Sequence, residues 1–295
     1  MWRNSIILLL VLGTNSGLLY GQTKKRYTVN TTAEFEKLAF NLYSPSGTCQ
    51  IRPTHHPTLV TIYCKSENDD YNPAFITRMN DMTKFVSLDM DDGKSDGISK
   101  TLSGKVFKSP YMELENKCNV YLSHQKPVTL DLKYGVGEAF ADLSGLAVEK
   151  LKINTGSADV TVGYQEGKAN LVKMDTFSIK VDLGSVTVKR VNLSKASNII
   201  ADVGFGDLKL ELSDTLMVNT RVKASVGAGT LEISIANQNT PAIIHVNNSI
   251  LCRVKLNEHF KEIRENVFVN NSYHENAENL ITFNLDVAMG NIIFR

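Results

Sequence analysis

Tryptophan is nearly missing from this sequence: a single residue, Trp2, in a chain of 295. The strongest aromatic platform for sugar rings is therefore excluded from everything after residue 2. Net charge is nearly missing as well. It is +1, from 32 basic and 31 acidic residues, so the basic footprint of a nucleic-acid binder is not there. The one G-x-S-x-G string, Gly93-Lys94-Ser95-Asp96-Gly97, falls in the Asp-rich stretch MDDGKSDG and not in a strand-to-helix elbow, and His124, His245, His259 and His274 fall in unrelated contexts, which leaves no serine-hydrolase signature. The apolar run IILLLVLG is too short to span a bilayer and is followed by Thr14, Asn15, Ser16 and Gly17.

That run belongs to a secretory pattern. Trp2-Arg3 is a short basic start, the apolar core follows, and LLYG ends in a small residue before Gln22. Residues 1–21 read as a signal peptide cleaved after Gly21, with no membrane-spanning segment left after its removal. Export permits disulfides. The cysteines are Cys49, Cys64, Cys118 and Cys252, which allow three pairings. Cys49 and Cys64 flank QIRPTHHPTLVTIY, two extended runs around a Pro-bounded turn, so a bridge between them is the leading expectation. Free thiols and a Cys-His zinc site using His55 and His56 stay as alternatives, the second at a spacing that is not a standard zinc pattern.

Residues 22–105 read as a small mixed α+β region. TTAEFEKLAFNLYS opens with a capping box, Thr31 and Glu34, and then places Phe35, Leu38, Ala39 and Leu42 on one helical face. TLVTIYC and FVSLDM read as strands, and MDDGKSDG reads as a solvated loop without calcium-loop spacing. From residue 106 to 295 the texture is repetitive. In FSIKVDLGSVTVKRV, Phe177, Ile179, Val181 and Leu183 alternate with Ser178, Lys180 and Asp182, which means one dry face and one wet face. The same grammar recurs in five other stretches. Each strand leads into a small residue: Gly135, Gly156, Gly184, Gly204, Gly227 and Ala288. A second small residue often follows two positions on: Gly137, Ala158, Gly206, Gly229 and Gly290. Spacings of 21, 28, 20 and 23 residues between the first five indicate stacked repeats.

Stacked strands sit about 4.8 Å apart, so their corners stack too, and a Cβ there collides with the next level or blocks a left-handed turn. This accounts for Gly204-Phe205-Gly206. A phosphate loop would be followed by a helix whose amides hold the phosphate. Here the alternating strand DLKLEL follows, and there is no third glycine.

The stretches LDLKYGVGEAFADLSGLAVEKLKINTGSADVTV, ADVGFGDLKLEL, KASVGAGTLEISI and LDVAMGNIIF resemble the adhesin-like, LiaF-like β-solenoid domains of bacterial envelope proteins. The resemblance covers residues 127–295. It implies a right-handed β-helix in an exported or membrane-tethered envelope protein, with no shared catalytic residue.

Some β-helix proteins cleave polysaccharides with carboxylates on one exposed sheet. The candidates are Asp131, Asp159, Asp182, Asp202 and Asp207. Asp182 and Asp202 each precede a corner glycine by two residues and are expected one above the other, where like charges push their pKa values apart. Asn154 and Ser225 at the equivalent position favour a plain solvated face. An outer-membrane barrel is disfavoured by strands of five or six residues with a Lys/Asp-rich face. Among the remaining aromatics, Tyr134 and Phe205 are expected to cap the core beside their glycines, with Phe140 and Tyr164 as alternatives for stacking on sugars.

The expected protein is thus mainly β, a right-handed β-solenoid with a small N-terminal α+β region. Its expected role is adhesin-like binding or scaffolding at the envelope or cell surface, without catalytic residues, metal or cofactor. Its partner would be an envelope or surface protein or a glycan, not nucleic acid. The competing class is a carbohydrate-active β-helix enzyme, a lyase or hydrolase.

Overall fold

A computed structural model describes residues 23–66, 71–91, 116–213, 215–248 and 252–295. The expected signal peptide and most of the Asp-rich loop, residues 92–97, lie outside them. The regular structure among the described residues is 23 strands, β1 to β23 in chain order, and one 3-10 turn at Val191–Ser194, joined by turns and loops.

The strands form two large sheets. The 11-stranded sheet holds, in order, β1 (Thr23–Asn30), β4 (Thr58–Ser66), β7 (Lys117–Ser123), β3 (Thr48–Thr54), β9 (Glu138–Asp142), β11 (Asp159–Gly163), β13 (Ser185–Lys189), β15 (Asp207–Leu212), β17 (Thr230–Ile235), β23 (Asn291–Phe294) and β19 (Arg253–Lys255). The 12-stranded sheet runs β20 (Phe260–Arg264), β21 (Val267–Asn270), β18 (Ala242–Asn248), β22 (Ile281–Val287), β16 (Thr220–Val226), β14 (Ala196–Val203), β12 (Met174–Val181), β10 (Val148–Thr155), β8 (Val128–Tyr134), β2 (Lys37–Ser44), β6 (Thr83–Asp89) and β5 (Ala74–Asn80).

From β8 to β17 the chain alternates between the sheets, and each strand pairs in parallel with the strand two places on. Antiparallel pairs appear only towards the two ends, as in β1–β4, β5–β6 and β20–β21. The order is not sequential there. Strands β2 and β3 lie between β6/β7 and β8/β9, and β22 and β23 lie between β16/β17 and β18/β19.

Alternation along each strand builds the core. Phe40, Leu130, Leu151, Phe177, Ile199, Val222, Phe283 and Ile244 form one in-register buried row across the 12-stranded sheet. Val120, Ile51, Ala141, Val162, Val188, Leu210, Ile233 and Phe294 face them from the other sheet. Fully burying each of these larger side chains contributes about 1.5–3 kcal/mol, set against an ordering cost of about 1–2 kcal/mol per residue of backbone.

The helix expected from Thr31 onwards is not there: Lys37–Ser44 is strand β2. Leu38, Phe40 and Leu42 are buried while Asn41 and Tyr43 are exposed, a period of two. A helix here would leave Phe40 on its wet side, and burial of that ring decides the outcome over the capping box. Residues 22–105, read as an α+β region, thus hold no α-helix among the described residues. Their strands β2 and β3 sit inside the two sheets, next to β8 and β9.

Candidate functional site

The corners are two stacked columns of backbone. At successive levels, Gly156, Asp182, Gly204, Gly227 and Ala288 each donate an N–H to the level before. Two residues on, Gly137, Ala158, Gly184, Gly206, Gly229 and Gly290 form the second column. Gly184 therefore belongs to the second column, not the first as its spacing suggested, because Val181 pairs with Thr155 and Val203 and puts Asp182 level with Gly204. The columns differ in tightness. A Cβ on Gly206 would lie 2.1 Å from the Gly184 carbonyl oxygen and 2.8 Å from Val181 Cγ1, whereas one on Gly204 would meet its nearest atom at 3.1 Å. Asp182 and Ala288 occupy the looser column, while in the tighter one Ala158, on the level after Gly137, is the single residue with a Cβ.

The same register separates the acids. Asp202 stands beside Lys180, and Asp182 makes its ion pair with that lysine at 3.2 Å. Asp131 pairs with Lys152 at 3.8 Å on the 12-stranded sheet, while Asp159 and Asp207 begin strands of the other sheet. The expected stacked Asp182–Asp202 pair does not form, since the corner count behind it was offset by two residues.

The structure brings a different set together. On the outer face of the 12-stranded sheet, Asp202, Ser225, Asp286 and Asn247 are side by side on β14, β16, β22 and β18. Lys223, Asn284 and His245 form the adjoining row. The two rows line an open hollow of about 670 Å³. Asp202 and Asp286 are two strands apart, about 9.6 Å at ordinary strand spacing, with the Ser225 hydroxyl between them. Such a floor offers carboxylate and amide acceptors with hydroxyl, ammonium and imidazole groups for a polar ligand. Asp286 was not among the expected acids, although it precedes Ala288 by the same two residues. His245 and Asn247 were not legible as part of it, because β18 has no corner motif and reaches the site only through β22.

The aromatics divide. Tyr134 and Tyr164 are buried, and burial pushes both phenols well above their usual range. Phe205, expected to cap the core, is instead 73% exposed at the outermost point of its corner, in file with Leu183 and Met289. Phe140 is exposed on the 11-stranded sheet.

The cysteines are also rearranged. Strand β7 lies between β3 and β4, so Cys118 is the direct neighbour of both Cys49 and Cys64. Cys49 and Cys64 are thus two strands apart, about 9.6 Å, beyond the Cα separation a disulfide spans. The bridge expected between them does not fit this geometry. Cys64 Sγ lies 2.7 Å from Cys118 Sγ, both as free thiols. Hydrogen bonds to Cys49 and Cys64, with burial, hold the Cys118 thiol well above its usual pKa. Cys252 lies at the other end, beside β19. His55 and His56 sit in the β3–β4 turn, where His56 Nδ1 contacts Thr58 Oγ1 at 2.7 Å.

No curated protein matches the chain. Among solved structures, a candidate cell adhesion protein from Clostridium sporogenes is similar at 18% identity and a TM-score of 0.46, over 93% of this chain and 99% of that one. A candidate adhesin from Bacteroides fragilis is similar at 12% identity and a TM-score of 0.35, over 93% and 97%. A candidate lipid-binding protein from Parabacteroides distasonis is similar at 10% identity and a TM-score of 0.36, over 93% and 96%. The model of the N-terminal domain of toast_rack, DUF2154, matches residues 20–189. That is more than half of the chain, which therefore belongs to the toast_rack family.

Proposed function

We propose that this chain is an exported, non-enzymatic envelope or surface protein, a right-handed β-solenoid that presents a rigid wet face to a polar partner. The observation that carries the reading is the in-register row Asp202, Ser225, Asp286 and Asn247, lining a hollow open to solvent. Parallel strands alternating between two sheets hold such a row on fixed backbone, so it binds without ordering a loop. Among the described residues no helix is long and apolar enough to cross a membrane.

The experiment has two arms. Cell fractionation with N-terminal sequencing is expected to find the chain in the envelope or medium, beginning at Gln22; full-length protein in the cytoplasm refutes export. Binding of the purified protein to isolated envelopes is expected to fall at least several-fold in Asp202→Ala/Asp286→Ala, and unchanged binding removes the hollow from the account.

A second reading has its own observation. Two strand spacings put the backbones of Asp202 and Asp286 about 9.6 Å apart, near the carboxylate separation of inverting glycosidases, about 6.5–9.5 Å. A panel of pectate, alginate and peptidoglycan, with and without calcium, decides it. Turnover by the parent that both Asp202→Asn and Asp286→Asn lose establishes an enzyme.

A further inference from the structure

The outer face of the 11-stranded sheet changes character at its N-terminal end. One row across β1, β4, β7, β3 and β9 reads Arg26, Tyr63, Asn119, Gln50, Phe140. Tyr63 and Phe140 are each 44% exposed and lie three strands apart, about 14 Å. The amides of Asn119 and Gln50 lie between them. The Tyr63 ring is held in place: Tyr121 packs edge-on to it at 6.1 Å, and the Arg26 guanidinium stands 5.7 Å from its centre. Arg52 Nη2 donates to Gln50 Oε1 at 2.8 Å and orients that amide.

The next row is Lys24, Lys65, Lys117 and Thr48, three cations side by side on adjacent strands. Like charges directly opposite one another weaken a sheet. Among the described residues no ion pair neutralises these lysines, and the only carboxylate in the two rows is Glu138 at the β9 end. Among the described residues this arrangement is repulsive, and an anionic partner would relieve it.

We propose that this face binds an anionic polysaccharide, with Tyr63 and Phe140 as platforms for sugar rings, Asn119 and Gln50 as hydroxyl partners, and the lysine row as the carboxylate site. Flat rings separated by amides suit a flat ring-built chain. A lipid surface would select a continuous cluster of protruding aliphatic side chains, whereas the exposed apolar groups of these rows are two separate rings, Tyr63 and Phe140, with amides between them. The inference deepens the binding reading above and rests on it only for export, which is where such polymers are met; it places the glycan on a different sheet from the hollow.

The test is affinity electrophoresis of the mature chain, residues 22–295, in gels containing polygalacturonate, alginate or neutral dextran. Poly-dT and phosphatidylglycerol vesicles serve as competitors. The parent is expected to be retarded by the acidic gels and not by dextran, and increasingly less so as salt rises. Tyr63→Ala/Phe140→Ala and, separately, Lys65→Gln/Lys117→Gln are each expected to weaken retardation about tenfold or more, as loss of a central contact does. Asp202→Ala/Asp286→Ala is expected to leave it unchanged. Retardation unaffected by either substituted pair overturns the proposal, as does equal retardation in dextran. Stronger binding to poly-dT or vesicles than to any polysaccharide also overturns it. No retardation in any gel overturns it too, while envelope binding lost only with Asp202 and Asp286 would leave the hollow standing.

Discussion

Residues that alternate along a single strand live under different rules in this protein. On β12, Phe177, Ile179 and Val181 face the interior, where each has a counterpart at the same height on the strands either side. Ser178 and Lys180, on the same strand, face water and have neighbours as dissimilar as Lys152, Ile200, Asn154 and Asp202. The interior repeats because close packing at fixed strand spacing admits few side chains. The faces do not repeat, because solvent tolerates nearly anything. Recognition can therefore differ between the lysine-rich end of one sheet and the acid-lined hollow of the other, on one unchanging scaffold.

The widest gap between these rules is in side-chain truncation. Phe177→Ala removes a fully buried ring from the continuous row and is expected to cost about 3–5 kcal/mol in chemical denaturation. A cost below about 1 kcal/mol would mean that the row is not tightly packed.

The corner columns come next. Gly206→Ala drives a methyl group into the backbone of the level beneath, an expected loss of about 2–3 kcal/mol, while Gly204→Ala is expected to cost less than about 1 kcal/mol. Equal melting temperatures for the two would erase the distinction between the columns.

The cysteine row tests the interior chemically. In oxidised protein a Cys64–Cys118 peptide is expected in a non-reducing digest, and reduction is expected to lower stability by about 2–4 kcal/mol. In the reduced protein Cys118 has a folded-state pKa raised above its unfolded value of about 8.5. Its contribution is then complete below that pH and is lost as pH climbs towards the folded value, because only the unfolded chain releases the proton. Melting temperature of reduced protein should therefore fall from about pH 8.5 upwards, and a Cys118→Ala variant should show less of that fall. A flat profile in both would exclude Cys118 as its source.

The smallest effect belongs to the wet face. Asp182→Asn breaks an ion pair with Lys180 in which both side chains are more than half exposed, and is expected to change stability by less than about 0.5 kcal/mol. A larger loss would mean that the face takes part in holding the stack.

These contrasts explain what the sequence made legible. Phe177, Ile179 and Val181 announce their strand, and Gly206 announces its corner, because each obeys a local period. The Thr31 capping box misled, since Phe40 satisfies a strand and not a helix. Gly184 was assigned to the wrong column, because counting from the corner cannot sense that Val181 aligns with Thr155. The pairing of Cys118 with Cys64 depends on β7 entering between two strands that are consecutive in sequence, which no spacing reports. The hollow was invisible for the same reason: Asp286 reaches Ser225 and Asn247 by insertion between strands that precede it.

That insertion governs how the molecule can be made. The level formed by β22 and β23 lies between strands synthesised earlier, so β16/β17 and β18/β19 have no pairing partner in the gap until the last segment of the chain arrives. A polypeptide threaded through a ribosome or a secretion pore from its N-terminus exposes four open strand edges, two in each sheet, until β22 and β23 arrive. Such a slot accepts any extended segment of matching alternation, including the tail of a neighbouring copy. Chaperone protection during transit, and crowding at the exit, thus bear on this protein more heavily than on one whose levels are laid down in order.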